Sequence, residues 1–272
     1  MSVRVAKSAG FCFGVNRAVE LVEKAAEDGK NVVTLGPIIH NRHVVARFRD
    51  LGVSVIDRPE DAPDGATVVI RSHGVSRAVY EQLERRGVEI IDATCPFVKR
   101  IHGIVSRAEQ EGSLPVIIGT RTHPEVIGIA GWCGDCRVFE TAQELENWVV
   151  SGEIPTDSSI CMVSQTTSTE NLWKSCVEIA KKQFTHLKIF DTICKATECR
   201  QNEAAQLGAV CQAMVVVGDT ESSNTGRLAM ICREHCQRGV LVDNATELDP
   251  EFFRGVRDVG ITAGASTPAW II

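Results

Sequence analysis

Three cysteines in this chain occupy the same kind of place, and few folds can offer that place three times. Cys12 lies in VRVAKSAGFCFGVNRAVELV, Cys95 in EIIDATCPFVKRIHGIV and Cys194 in KIFDTICKATECRQNEAAQL. Each follows a short apolar run that reads as a buried strand, and each precedes a pattern of helical period. Pro96, directly after Cys95, suits the first position of a helix. A side chain at such a junction stands at the carboxyl end of a sheet, where α/β proteins place their ligands.

The residues that follow each cysteine repeat as well. Counting 24 positions on from each reaches a glycine that ends the next strand: Gly36, Gly119 and Gly218. Four positions further stand His40, His123 and Ser222, each able to bond an anion. A second strand-to-helix loop then carries His73, Thr166 and Ser266, at 61, 71 and 72 residues after the respective cysteines. Strand and helix alternate throughout, with NVVTL, TVVIR, LPVII, SICMV, LKIFD, AMVVVG and GVLVD as the clearest strands. That alternation predicts an α/β fold with mostly parallel sheet. The long period divides it into three similar α/β units in a pseudo-three-fold arrangement: 13–95, 96–194, and 195–272 joined by 1–12. The third unit lacks its last strand, and the N-terminal VRVA can supply it and close the ring. Equivalent loops then converge on one central pocket, so Cys95 partners Cys12 and Cys194.

Composition excludes several other classes. The 272 residues are 44% hydrophobic, enough for real cores and too many for disorder. A net charge of −6 argues against a general nucleic-acid surface, and 5% aromatics argues against base-stacking platforms. No 18-residue apolar run or signal-peptide core is present, so the expectation is a soluble, cytoplasmic protein that does not enter a membrane. Eleven cysteines in a reducing compartment point to metal or catalytic use for some of them.

Three converging thiolates can hold zinc or an iron–sulfur cluster. Structural zinc wants four ligands, usually in short C-x2-4-C pairs. Cysteines 83 and 99 residues apart suit a [4Fe–4S] cube better, with three irons on thiolates and one iron open. The surrounding loops supply short donors near helix N-termini: His40, His73, His123, Ser222, Ser223, Asn224 and Ser266. With no lysine among them, a phosphate or diphosphate held by neutral donors is the natural ligand. Glu125, in THPEV, is the carboxylate of these loops and can relay protons, with Thr166 as its hydroxyl partner. His43, His102, His186 and His235 fall outside the repeat and read as structural. WCGDC, residues 132–136, has the spacing of a redox dithiol, but a strand-like RVFE follows where a thioredoxin motif enters a helix. Cys232 and Cys236, four apart, could join Cys133 and Cys136 in a zinc site; unpaired thiols are the preferred reading.

Taken in order, AGFCFGV, LGPIIHN, RSHGV, DATCP, THPEV, SQTT, DTIC, SSNT and GASTP closely resemble the motifs of the 4-hydroxy-3-methylbut-2-enyl diphosphate reductase family, over nearly the whole chain. The resemblance implies a three-lobed fold around a [4Fe–4S] cluster on Cys12, Cys95 and Cys194. It implies the last step of the methylerythritol phosphate route to isoprenoids: two electrons and two protons remove an allylic hydroxyl, giving isopentenyl and dimethylallyl diphosphates. His40, His73, His123, Thr166, Ser222, Ser223, Asn224 and Ser266 would then bind the substrate, with Glu125, Thr166 and His123 as the catalytic set. Ferredoxin or flavodoxin would deliver the electrons. Cys199 departs from the family pattern and is expected to point away from the cluster. The chain stops at TPAWII, one turn into an expected last helix, where family members often continue with a tail over the site. Two other readings use the same residues. One is a quinolinate synthase-like iron–sulfur dehydratase, which needs no external electrons. The other is a non-enzymatic electron carrier, which would want a fourth cysteine.

Overall fold

A computed structural model describes all residues, 1–272. It contains twelve strands: β1 (Ser2–Val5), β2 (Val32–Leu35), β3 (Ser54–Ile56), β4 (Thr67–Ile70), β5 (Glu89–Asp92), β6 (Leu114–Ile118), β7 (Arg137–Phe139), β8 (Ser159–Ser164), β9 (His186–Ile189), β10 (Ala213–Val217), β11 (Gly239–Val242) and β12 (Asp258–Ala263). Nine α-helices run between them: α1 (Phe13–Glu27), α2 (Arg42–Asp50), α3 (Arg77–Arg86), α4 (Pro96–Gln110), α5 (Pro124–Ala130), α6 (Ala142–Val150), α7 (Glu170–Gln183), α8 (Lys195–Val210) and α9 (Ser223–His235). No helix is long and apolar enough to cross a membrane.

The strands form three separate parallel sheets of four, in the orders β3-β2-β4-β5, β7-β6-β8-β9 and β11-β10-β12-β1. Each order is second, first, third, fourth, provided that β1 takes the fourth place in the third sheet. It does: Ser2 to Val5 pair in register with Asp258 to Ile261. The expected α/β class, its three similar parallel units and the ring closure by the N-terminal strand are therefore observed. The central strands are buried on both faces, as helix-covered parallel sheet requires, and so read as unbroken Val/Ile runs.

Each sheet owns the helix that enters from the previous one. The apolar face of α1 (Val15, Ala18, Val19, Val22) packs on Val32 and Val69 of the first sheet, although its strand neighbour β1 lies in the third. Ile101 and Val105 of α4 pack on Ile117 and Val163 of the second sheet, and Ala204 of α8 packs with Met214 and Val216 of the third. Cys12, Cys95 and Cys194 stand at these three crossings, each as the residue before the first turn of its helix.

The hydrogen bonds repeat with the fold. The amide of each cysteine donates to the loop after the third strand of its own sheet: Cys12 to Ala265, Cys95 to Ser72 and Cys194 to Thr166, at 2.9 to 3.1 Å. Gly36, Gly119 and Gly218 each donate an amide to the last residue of the neighbouring second strand, Ile56, Phe139 and Val242, at 2.7 to 2.9 Å. Two differences from expectation stand out. The last residues form a hydrogen-bonded turn from Pro268 to Ile271 rather than a helix, since the few residues after Pro268 offer no run of i to i−4 bonds. His73 sits three residues ahead of its helix cap, Ser76, in the loop itself and not on the helix N-terminus.

Gly218 is closely enclosed by hydroxyl side chains. Its φ is +146°, and a Cβ there would lie 2.5 Å from Thr267 Oγ1 and 3.0 Å from Thr225 Oγ1. Gly218→Ala is expected to cost roughly 2 kcal/mol or more, read as a lower urea midpoint with an unchanged slope; an unaltered midpoint would show that this turn relaxes freely.

Candidate functional site

One pocket gathers the carboxyl-end loops of all three sheets. Its lining includes Cys12, Cys95 and Cys194, and every other residue singled out above: His40, His73, His123, Glu125, Thr166, Ser222, Ser223, Asn224 and Ser266. Cys199 is exposed and outside it, and Cys232 and Cys236 are buried with Cys211 in the core of the third unit. Cys133 and Cys136 pack against a different core, so the four-cysteine zinc site is not formed. His43 bonds Asp243 at 2.6 Å, His102 is buried against Trp132 with ring centroids 5.2 Å apart, and His186 and His235 are exposed.

At the thiol end, none of the three cysteine side chains caps its own helix by a hydrogen bond. Burial pushes the Cys95 thiol up to about 11 and also raises Cys194, opposed by backbone amides of Phe97 and Val98 and of Ala196 and Thr197. The buried Arg200 guanidinium lies beside Cys12 and Cys194 and is anchored by Gly10 and Ala196 carbonyls at 2.6 and 2.9 Å. Gly14 keeps the space open: a Cβ there would come within 2.6 Å of Cys95 Sγ. The three thiols do not close to within 4.8 Å of one another, as the three imidazoles of the pocket do. A single tetrahedral zinc, with Zn–S near 2.3 Å, would need sulfurs about 3.8 Å apart. Three thiols lining one pocket are a donor set suited to an iron–sulfur core.

At the other end, His40, His73 and His123 stand with ring centroids 4.6 to 5.6 Å apart. His123 caps α5, and its Nδ1 accepts the Glu125 amide at 3.1 Å. Nδ1 is therefore the unprotonated nitrogen, and Nε2 carries the hydrogen. His40 Nε2, His73 Nδ1 and both amide atoms of Asn224 are buried and bond no protein group. Burial lowers all three histidines, His123 to about 4 and His73 well below its usual value, so each is neutral at pH 7. Three neutral imidazoles can offer lone pairs to a cation or N–H groups to an anion. Two arginines decide between them. Arg71 acts on all three rings and Arg227 on His123 and Glu125, and both guanidinium groups are largely buried without a direct ion pair. A positive field at a cluster of donors favours an anion.

Between the two ends lies Glu125, 2% exposed. Thr166 donates to it twice, from its amide at 2.6 Å and from its hydroxyl at 2.7 Å. Burial raises the Glu125 carboxyl above the usual range, with the Thr166 bonds and Arg227 opposing. Ser222 caps α9, accepts from Thr225, and receives the Ser266 hydroxyl at 3.3 Å; Ser223 is within 3.1 Å of Thr167. Arg71, Arg227, Gln165 and Thr167 were not anticipated. Arg227 lies four residues after Ser223 on α9, a spacing that marks one helix face. Arg71 ends the strand-like TVVIR, two residues before His73.

Comparison with known proteins gives this geometry relatives. Residues 3–272 match a family model described as LytB protein. The chain is 42% identical over 276 residues to a 4-hydroxy-3-methylbut-2-enyl diphosphate reductase of Thermoanaerobacter sp. (strain X514), covering 100% of this chain and 94% of the relative. It is 40% identical to the Aquifex aeolicus (strain VF5) protein of the same name, covering 93% of it. A solved E-1-hydroxy-2-methyl-but-2-enyl-4-diphosphate reductase from Plasmodium falciparum superposes with a TM-score of 0.93 at 28% identity, over 99% of this chain and 85% of that one. A solved (E)-4-hydroxy-3-methyl-but-2-enyl diphosphate reductase, described as the terminal enzyme of the non-mevalonate pathway, gives 0.71 at 40% identity, over 100% and 96%.

The buried neutral imidazoles carry a pH signature. His102 and His123 are lowered from 6.5 to about 4 by burial, so between those values the unfolded chain binds more protons than the folded one. Stability is then complete above pH 6.5 and is lost as pH falls toward 4. Urea titrations from pH 7 to 5 should show a falling midpoint, with a shallower fall in His102→Gln. A flat profile would mean that these rings take up protons without cost.

Proposed function

The chain belongs to the LytB protein family, a family of reductases, and we propose that it reduces 4-hydroxy-3-methylbut-2-enyl diphosphate to isopentenyl and dimethylallyl diphosphates. The observation that carries this reading is one pocket with three thiols at one end, unpartnered neutral donors at the other, and a buried carboxyl with its hydroxyl partner between.

Cys12, Cys95 and Cys194 would hold a [4Fe–4S] cluster. Bound there, the cluster would supply electrons one at a time and a Lewis-acidic iron without a thiolate. The electrons would come from a ferredoxin or flavodoxin. Overall, two electrons and two protons convert the allylic alcohol to an alkene and water. The chain's own groups bind and move protons. His40, His73 and His123 offer N–H groups to the diphosphate, joined by Ser222, Ser223, Asn224 and Ser266 around the N-terminus of α9, whose backbone dipole favours an anion. Thr166, already bonded to Glu125, would hand its hydroxyl hydrogen to the departing substrate oxygen and recover it from the carboxyl. The raised Glu125 carboxyl suits that role, because it holds a proton more readily than an exposed glutamate. His123 links the two tasks: its ring faces the other imidazoles while its Nδ1 fixes the first turn that carries Glu125.

Anaerobic, reconstituted protein reduced and given the hydroxylated allylic diphosphate should release both isomeric products; an intact cluster with no dehydroxylated product would overturn the assignment. Glu125→Gln should keep the cluster's spectrum and the affinity for inorganic pyrophosphate, yet lower kcat about 10²- to 10³-fold. Unchanged turnover would remove Glu125 from the mechanism. Cys95→Ser should lose the cluster's electron paramagnetic resonance signal on reduction; a full signal would remove Cys95 from the ligands.

A further inference from the structure

We propose that Cys133 and Cys136 form a redox-active dithiol whose oxidation to a disulfide by a glutathione-class disulfide weakens the anion-binding end of the site. The consequence for binding rests on the function proposed above; the dithiol itself does not.

Residues 131–136 form the chain reversal between α5 and β7, and they put both sulfurs against one small core. The two thiols are free and half-buried, three positions apart on one turn and against one core, under the exposed Gly134 and Asp135. The two sites are unequal. Cys133 donates its S–H to the Ala130 carbonyl at 3.4 Å, at the last turn of α5. The neighbouring Cys136 and burial raise Cys133 and keep that proton in place, while Cys133 lowers Cys136. Cys136 is thus the nucleophile and Cys133 the resolving thiol.

The exchange balances without further reagents. Cys136 thiolate attacks one sulfur of the oxidant's disulfide and releases the first thiolate. Cys133 then loses its proton and attacks Cys136 Sγ, releasing the second. Two electrons and two protons pass from the pair to the oxidant, and a dithiol reductant reverses the process.

This turn is tied to two of the three segments that carry the pocket histidines. Trp132, next to Cys133, donates its indole N–H to the Val75 carbonyl at 2.9 Å, two residues from His73. The Gly131 carbonyl accepts the Arg77 amide at 3.2 Å, and the Arg77 guanidinium lies 5.3 Å from the centre of the Trp132 ring. The other face of the turn continues into α5, which starts at His123 and Glu125. Gly128, one turn earlier, lies against the backbone of His73 and Gly74, where an added Cβ would be in van der Waals contact at 3.5 Å. A disulfide fixes its two sulfurs about 2.05 Å apart, and the packed turn passes that movement to both loops.

The test uses anaerobic holoenzyme equilibrated across a glutathione/glutathione disulfide series, with alkylation and peptide mass mapping. Oxidation is expected to remove two hydrogens from the peptide carrying Cys133 and Cys136. The cluster's absorbance should not change, while affinity for inorganic pyrophosphate should fall about tenfold and recover with dithiothreitol. Cys133→Ser/Cys136→Ser should bind pyrophosphate like the reduced parent at every ratio. The proposal is overturned if both thiols stay alkylatable throughout, if the disulfide forms with affinity unchanged, or if the double variant still responds. Absence of turnover in both redox states would instead count against the reductase reading, because the mass and pyrophosphate measurements need no turnover.

Discussion

The hydrogen bond from each cysteine amide to the loop of the preceding strand is the join on which the architecture depends. It is made at the point where the chain leaves one sheet and enters the helix of the next, and it occurs three times with the same geometry. A helix N-terminus has amides without partners, and a loop beyond a strand has carbonyls without partners. Pairing them at the crossing satisfies both and fixes the direction in which the following side chain leaves the backbone. Three such crossings around a closed ring point three thiols inward. The convergence of the three thiols on one pocket is thus a by-product of how the sheets are joined.

The far side of the pocket is held under a different constraint. Asn224, His40 and His73 keep polar atoms out of water without a protein partner, at a cost of about 1 to 3 kcal/mol for each group. Arg71 and Arg227 add buried positive charge that no carboxylate neutralises directly. A diphosphate would answer all of these at once. The same burial that strains the free protein keeps the imidazoles neutral, so they donate hydrogen without contributing charge of their own. Binding strength would then come from fixed donors plus two guanidinium groups behind them, an arrangement less sensitive to pH than protonated histidines would be.

Much of this was readable from the residues because parallel sheet buries its strands on both faces. NVVTL, TVVIR and AMVVVG are unmistakable for that reason, and a cysteine after such a run marks a carboxyl-end loop. The equal count of 24 from each cysteine to a glycine exposed the repeat, since loops and helices of similar length separate similar strands. Less was legible where the physics is not periodic. Nothing in DLGVSVIDRP distinguishes the three-residue edge strand β3 from a turn. SHGVS suggests a helix start at His73, but the capping residue, Ser76, lies three positions later. Arg71 and Arg227 are not legible in sequence because the rings they act on are brought together from three separate loops.

The pairing of β1 with β12 joins residues 256 positions apart. On a ribosome, β1 must therefore remain unpaired until β12 has emerged. The first two sheets can assemble from contiguous segments during synthesis, whereas the third must wait for its opening piece and its closing piece to meet. Val3 and Val5 would travel through that interval on an open edge, exposed to other nascent chains. Cys12 lies seven residues beyond the end of that strand, so one corner of the thiol triangle is set only after β12 has been made.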